Sequence, residues 1–120
     1  MPPQILIVDD EAAVRELLSL FLRRRGFGVA TALNANGALE LLDSCQFQLV
    51  ILDANLEAES GLELLRVVKR RHAQLPVIIF SGNLDADLPA TALAAGANGF
   101  MHKTSSLHEL FTEVCRHIPG

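Results

Sequence analysis

The chain has 120 residues, half of them apolar, and carries 10 Lys and Arg against 14 Asp and Glu for a formal net charge of −4. That length suits one domain with a real core, and residues 1–120 are read as a single unit. The acidic balance and the absence of Trp and Tyr exclude a nucleic-acid binder held mainly by phosphate contacts or by base stacking, while apolar runs of only about four residues are far short of the ~20 that a membrane-spanning helix needs.

In chain order, short aliphatic runs alternate with longer amphipathic ones. The first run, 5–8, is followed by Val14, Leu17, Leu18 and Phe21 at helical spacing, and that pattern stops at Gly26. A weaker strand candidate, Gly28–Ala32, precedes a helix expected over 35–44 from Ala38, Leu39, Leu41 and Leu42. The second strong run, Leu49–Leu52, leads to a helix marked by Leu62, Leu65 and Val68. The third, 77–80, precedes an alanine-rich segment, 89–95, that ends at Gly96. Pro89 fits only a first helical turn, so that helix is expected to start near Asp87 or Leu88, with Asp87 as its N-cap. A last weak strand, 98–101, precedes the stripe Leu107, Leu110, Phe111, Val114 and Ile118.

Runs that are aliphatic throughout belong to strands buried on both faces of a parallel sheet. Five β-α units therefore predict an α/β fold, a flavodoxin-like (βα)5 three-layer sandwich. Its five-stranded parallel sheet takes the order 2-1-3-4-5, with the switch point between strands 1 and 3.

The polar residues that follow each run are the informative ones. Asp9 and Asp10 follow the first strand, Asp53 the third, Ser81 the fourth and Lys103 the fifth. In a parallel sheet these ends share one edge, beside the switch-point crevice where ligands bind. Each residue alone has a simpler reading: the Asp pair as a helix cap, Asp53 and Ser81 as turn residues, Lys103 as a solvated side chain. Together they form a kit. Three crowded carboxylates need a counter-charge, and a hard cation with oxygen ligands, Mg2+ in particular, supplies it. A carboxylate beside such a cation can attack phosphorus, with the lysine and the hydroxyl stabilising the transferred group.

The stretches Ile5-Leu6-Ile7-Val8-Asp9-Asp10-Glu11, Leu49-Val50-Ile51-Leu52-Asp53 with Leu56 and Gly61, Val77-Ile78-Ile79-Phe80-Ser81-Gly82, and Ala95-Gly96-Ala97-Asn98-Gly99-Phe100 running to Lys103 resemble the receiver domain of two-component response regulators. The resemblance covers essentially the whole chain. It implies Asp53 as phosphoacceptor, Asp10 and Asp53 with Asp9 (largely through water) and the Asn55 backbone carbonyl as the Mg2+ site, and Ser81 and Lys103 as holders of phosphoryl oxygens. Phe100 would be an aromatic switch residue that turns inward once Ser81 is drawn to the phosphate; core packing is the simpler alternative for it. The protein would be cytoplasmic, and a sensor histidine kinase or histidine phosphotransfer protein would be the donor, partly docked on Ala12, Ala13 and Glu16. The output face would be the fourth helix, fifth strand and fifth helix, and a homodimer through that face is one form the resemblance allows. It implies no direct nucleic-acid binding, no membrane contact, and no turnover activity beyond the domain's own phosphorylation and dephosphorylation. The chain stops directly after its last helix, so no output domain is expected within it.

Three positions depart from the family pattern: Glu57 where proline is usual, Gly82 for a small alanine, and Thr104 where proline often follows the lysine. A cis bond before a non-proline costs ~2.5–4 kcal/mol, so the Lys103–Thr104 bond is expected to be trans. Two other functions fit the same fold. A small Mg2+-dependent phosphohydrolase is opposed by Asn55, which stands where an acid would protonate a leaving group. Flavin binding is opposed by Asp9-Asp10-Glu11, which would repel its phosphate. The basic triplets 23–25 and 69–71 read as last-turn cations facing helix dipoles. The four histidines read as surface or helix-end residues, and Cys45 and Cys115 as two buried thiols in a reducing compartment.

Overall fold

The aliphatic runs become the interior of the sheet. A computed structural model describes residues 2–118, so Met1, Pro119 and Gly120 at the expected domain ends lie outside the described residues. The elements are β1 (Gln4–Val8), α1 (Ala12–Arg24), β2 (Gly28–Ala32), α2 (Ala35–Ser44), β3 (Leu49–Leu52), β4 (Asn55–Leu56), β5 (Glu59–Ser60), α3 (Gly61–Arg71), β6 (Val77–Ser81), α4 (Leu88–Ala94), β7 (Gly99–His102) and α5 (Leu107–His117). The main sheet is parallel throughout, in the order β2-β1-β3-β6-β7. Counting only its own strands, that is the expected 2-1-3-4-5. The two-residue strands β4 and β5 form a separate antiparallel hairpin that the sequence pattern did not announce.

Alternation along the central strands divides the core in two. Leu6, Val8, Val50, Leu52, Val77 and Ile79 pack with residues of α2, α3 and α4. Ile5, Ile7, Leu49, Ile51, Ile78 and Phe80 pack on the other face with Leu18 and Leu22 of α1 and Leu110 and Val114 of α5. Full burial of each such side chain contributes about 1.5–3 kcal/mol relative to leaving it in water. These two layers fix the strand ends from which the polar residues project.

The helices start where their caps allow. Asn34 accepts the Gly37 N–H at 2.8 Å, Ser60 the Glu63 N–H at 3.4 Å and Ser106 the Glu109 N–H at 3.1 Å. Asp87 does occupy the N-cap of α4, with Pro89 in the first turn, yet its side chain makes no capping bond there. Instead its backbone carbonyl accepts the Thr91 hydroxyl at 2.9 Å.

Several expectations are corrected. Leu17 is 53% exposed, because the inward stripe of α1 runs through Leu18 and Leu22 with Val14 and Phe21 partly buried beside them. Cys45 and Cys115 are exposed rather than buried. Cys45 caps the C-terminal end of α2, and Cys115 follows the buried Val114 and so turns away from the core. The last-turn cations are in place on α1 and α3, but four of the six do more. Arg23 donates to the Val29 carbonyl at 3.1 Å and Arg71 pairs with Asp43 at 3.6 Å. Lys69 donates to the Leu75 carbonyl at 2.8 Å and Asn98 Oδ1 at 3.0 Å, and burial lowers its ammonium pKa. Arg25 stacks over the Phe21 ring at 4.7 Å.

Candidate functional site

Three strand ends converge at the switch point between β1 and β3. Asp9 directly follows β1, Asp53 directly follows β3, and Lys103 directly follows β7. The backbone sets them in register: Asp53 N–H donates to the Val8 carbonyl at 2.9 Å, and Lys103 N–H to the Ser81 carbonyl at 2.8 Å. Ser81 is therefore the last residue of its strand rather than the first beyond it.

Asp9, Asp10, Glu11 and Asp53 each place a carboxylate oxygen so that all four lie within 4.8 Å of one another. Lys103 Nζ reaches three of them, at 2.9 Å from Asp9 Oδ2, 2.8 Å from Glu11 Oε1 and 3.1 Å from Asp53 Oδ2. One ammonium faces four carboxylates, so the local charge is strongly negative. Asp9 is buried, and burial raises its carboxyl above the usual aspartate value even though the Lys103 hydrogen bond pulls the other way. Burial by itself would lower the Lys103 ammonium; its hydrogen bonds to Glu11, Asp9 and Asp53 outweigh that and raise it above the usual lysine value. Both directions hold together, because a cation shared among three acids cannot fully compensate any one of them.

The loops are tied to the same cluster. Asp9 Oδ1 accepts the Glu11 N–H at 2.9 Å, but the N-cap of α1 is Glu11 itself with no side-chain capping bond, so the Asp pair does not cap the helix. Asp53 Oδ1 accepts the Asn55 N–H at 3.0 Å. Ser81 is fully buried, and its Oγ accepts the Asn83 N–H at 3.0 Å. The Asn83 side-chain amide reaches Asn55 Oδ1 at 3.3 Å, joining the loop after β6 to the loop after β3. Gly61 closes the base of the hairpin: a methyl group there would overlap the Asp53 carbonyl oxygen, so only glycine lets the chain pass this close.

Asp9, Asp10, Asp53 and Lys103 are thus brought together as the sequence predicted, with Ser81 on the neighbouring strand. Phe100 lies half-buried on β7 against the α2–α4 side of the core, edge-on to His102 at 5.2 Å. Sequence reasoning missed Glu11 as a partner of Lys103, the Glu57 N–H that donates to Asp10 Oδ2 at 2.9 Å, and Arg15, which donates to the Asp9 carbonyl at 2.7 Å. Glu11 was visible beside the Asp pair, but helix capping explained it equally well. Of the departures, Gly82 has room for a methyl, which would only touch Lys103 Cδ at 3.7 Å. The Lys103–Thr104 peptide is trans, as is every other among the described residues.

An all-oxygen donor set with excess negative charge suits a hard divalent cation. Fold and site together define a flavodoxin-like α/β domain with a cation-type acidic pocket at its switch point. The chain belongs to the response regulator receiver domain family, whose model matches residues 5–115. It is 39% identical over 105 residues to the response regulator protein PilR of Pseudomonas aeruginosa, covering 88% of this chain and 24% of that protein. The crystal structure of NtrX from Brucella abortus superposes with a TM-score of 0.92 at 33% identity, over 98% of this chain and 27% of that one. A response regulator, TrrA from Thermotoga maritima, solved in complex with Mg2+ and a beryllium fluoride, gives 0.87 at 29% identity, over 97% and 99%. The chain spans between 21% and 49% of the length of the curated relatives it matches. It is a receiver domain of the two-component type, a regulatory unit rather than a turnover enzyme. Among the described residues no helix is long and apolar enough to cross a membrane.

Proposed function

We propose that this domain accepts a phosphoryl group on Asp53 from the phosphohistidine of a sensor kinase or phosphotransfer protein in the cytoplasm, with Mg2+ held by Asp9, Asp10, Asp53 and the Asn55 carbonyl. The observation that carries the reading is the clasp of Lys103 Nζ on Asp53 Oδ2 at 3.1 Å inside a cluster of four carboxylates. The cation supplies charge neutralisation at the phosphoryl oxygens when bound.

The chain's own residues do the rest. An Asp53 oxygen attacks phosphorus, the O–P bond forms, and the N–P bond breaks with its electron pair returning to the donor imidazole. Burial and the Asn55 N–H hold the Asp53 carboxylate in one orientation, which favours in-line attack. Lys103 stays charged throughout, since its pKa is raised, and exchanges part of its contact with Asp9 and Glu11 for a phosphoryl oxygen. Ser81 Oγ exchanges its Asn83 contact for another. Movement of Ser81 opens space for Phe100 to turn inward and reshapes the face of α4, β7 and α5, through which a homodimer can form. Exposed residues of α1, namely Ala12, Ala13 and Glu16 continued by Leu17 and Leu20, offer the donor a docking face. Residues 1–120 make up one receiver unit.

Acetyl phosphate with Mg2+ tests the chemistry. One phosphoryl group should add to the wild type and none to Asp53→Ala, by intact-protein mass spectrometry. Equal labelling of both would overturn the assignment of Asp53, and multiple turnover on a phosphoester would replace the reading with a phosphohydrolase.

A further inference from the structure

The turn between β4 and β5 has Glu57 and Ala58 at its two central positions, and only Ala58 has a positive φ, 63°. A negative φ followed by a positive one is the type II pattern, in which proline is favoured at the first central position. Glu57 stands at that position. What it keeps and proline would lose is a backbone N–H. That N–H donates to Asp10 Oδ2 at 2.9 Å, across 47 residues of sequence. Asp10 is also the member of the four-carboxylate cluster that Lys103 does not reach, and among the described residues the Glu57 N–H is its one hydrogen-bond donor. Across the hairpin, Glu59 Oε1 accepts the Ala35 N–H at 2.6 Å, one of the first-turn donors that α2 cannot satisfy itself. Leu56 anchors the hairpin in the core. The tip is therefore held between the acidic cluster on one side and the start of α2 on the other.

We propose that the β4–β5 hairpin is a cation-released latch. The Glu57 N–H holds Asp10 in the cation-free domain and gives it up when Asp10 turns to a divalent cation. Through Glu59, the freed hairpin then reports occupancy of the site to the N-terminus of α2. The latch rests on the cation site proposed above, and it makes Glu57 a positioning residue that acts through Asp10. Because the bond must be surrendered, it opposes cation binding by about fivefold, ~1 kcal/mol for one partly exposed charge-assisted hydrogen bond.

Titration of the isotope-labelled domain with Mg2+, followed by amide NMR shifts at constant ionic strength, tests it. In the wild type the amides of Glu57 and Ala35 should shift with the same midpoint as those of Asp9, Asp10 and Asp53, and the Glu57 amide should lose its hydrogen-bonded shift. Glu57→Gln keeps the N–H and should behave as the wild type. Glu57→Pro removes the N–H in a turn that favours proline; it should bind Mg2+ about fivefold tighter, with the Ala35 amide no longer responding. A Glu57→Pro variant that binds Mg2+ no better than the wild type overturns the latch, as does a Glu57→Gln variant that shifts equally, since the side-chain charge would then be the cause. A wild-type Glu57 amide that stays still while the Asp9, Asp10 and Asp53 amides move overturns it without any variant. Silence at Asp9, Asp10 and Asp53 would instead remove the cation site itself.

Discussion

Replacing Lys103 by methionine keeps a long apolar stem and deletes the one charge that three carboxylates share. Contacts of 2.8–3.1 Å correspond to a ceiling of ~6 kcal/mol per pair at an effective dielectric of ~20. The net figure is much smaller. Glu11 is 61% exposed and its pair is heavily screened, and the lysine, 16% exposed, must itself be desolvated. Removing one partner of a buried pair costs ~3–5 kcal/mol, and a site open at one edge belongs at the low end. Lys103→Met should therefore lose about 3 kcal/mol at pH 8 without Mg2+, or about 12 °C in Tm at about 4 °C per kcal/mol for this length. The pH dependence has a definite sign. Burial already raises the Asp9 carboxyl, and loss of the lysine hydrogen bond raises it further. The folded variant then binds a proton more readily than the unfolded chain, so its stability falls as pH rises above about 4. On the lysine's side the wild-type clasp is in place up to the ordinary lysine value of 10.5 and is lost as pH rises beyond it, while at acid pH protonation of Asp9 weakens it. The deficit should thus be small near pH 4–5, full at about pH 8, and largely restored by Mg2+ through mass action. Thermal unfolding followed by circular dichroism, with and without Mg2+, measures each term. A variant that melts with the wild type at pH 8, or a deficit independent of both pH and Mg2+, would refute the view that Lys103 serves as the cluster's counter-charge.

Three further outcomes follow from the geometry. Gly61→Ala places a methyl against the Asp53 carbonyl and the Ala54 backbone, so it should cost about 2–3 kcal/mol in urea unfolding and slow acetyl phosphate labelling of Asp53. Ala58→Gly relieves a left-handed φ of 63° and should stabilise by up to about 1 kcal/mol, since αL costs alanine more than the added chain entropy of glycine takes back; an unchanged or lower Tm would count against the turn geometry. Leu17→Glu or Leu20→Glu, on positions 53% and 51% exposed, should leave stability within about 0.5 kcal/mol. Transfer from a cognate kinase should nevertheless fall about tenfold, with acetyl phosphate labelling unaltered.

The α/β architecture, the strand order and most of the acidic pocket were legible in the sequence. Runs such as Leu49–Leu52, buried at every position, have one physical explanation in a chain this short: a strand covered on both faces. Once such strands are parallel, Asp9, Asp53 and Lys103 must share an edge whatever separates them in sequence. Tertiary structure alone decided the rest. Two-residue strands carry no periodicity, so the β4–β5 hairpin left no signal. Backbone donors such as the Glu57 N–H have no letter in the sequence, so the bond to Asp10 was not readable there. Which side of a helix meets the core turns on one residue's ~100° step, and that step put Leu17 and Cys115 outside. Glu11 needed the lysine's position in space before it could be told from a cap. The sequence determined which charges would meet, because topology follows from patterning; the fold determined which of them are bonded to one another, because that depends on loop geometry that patterning does not encode.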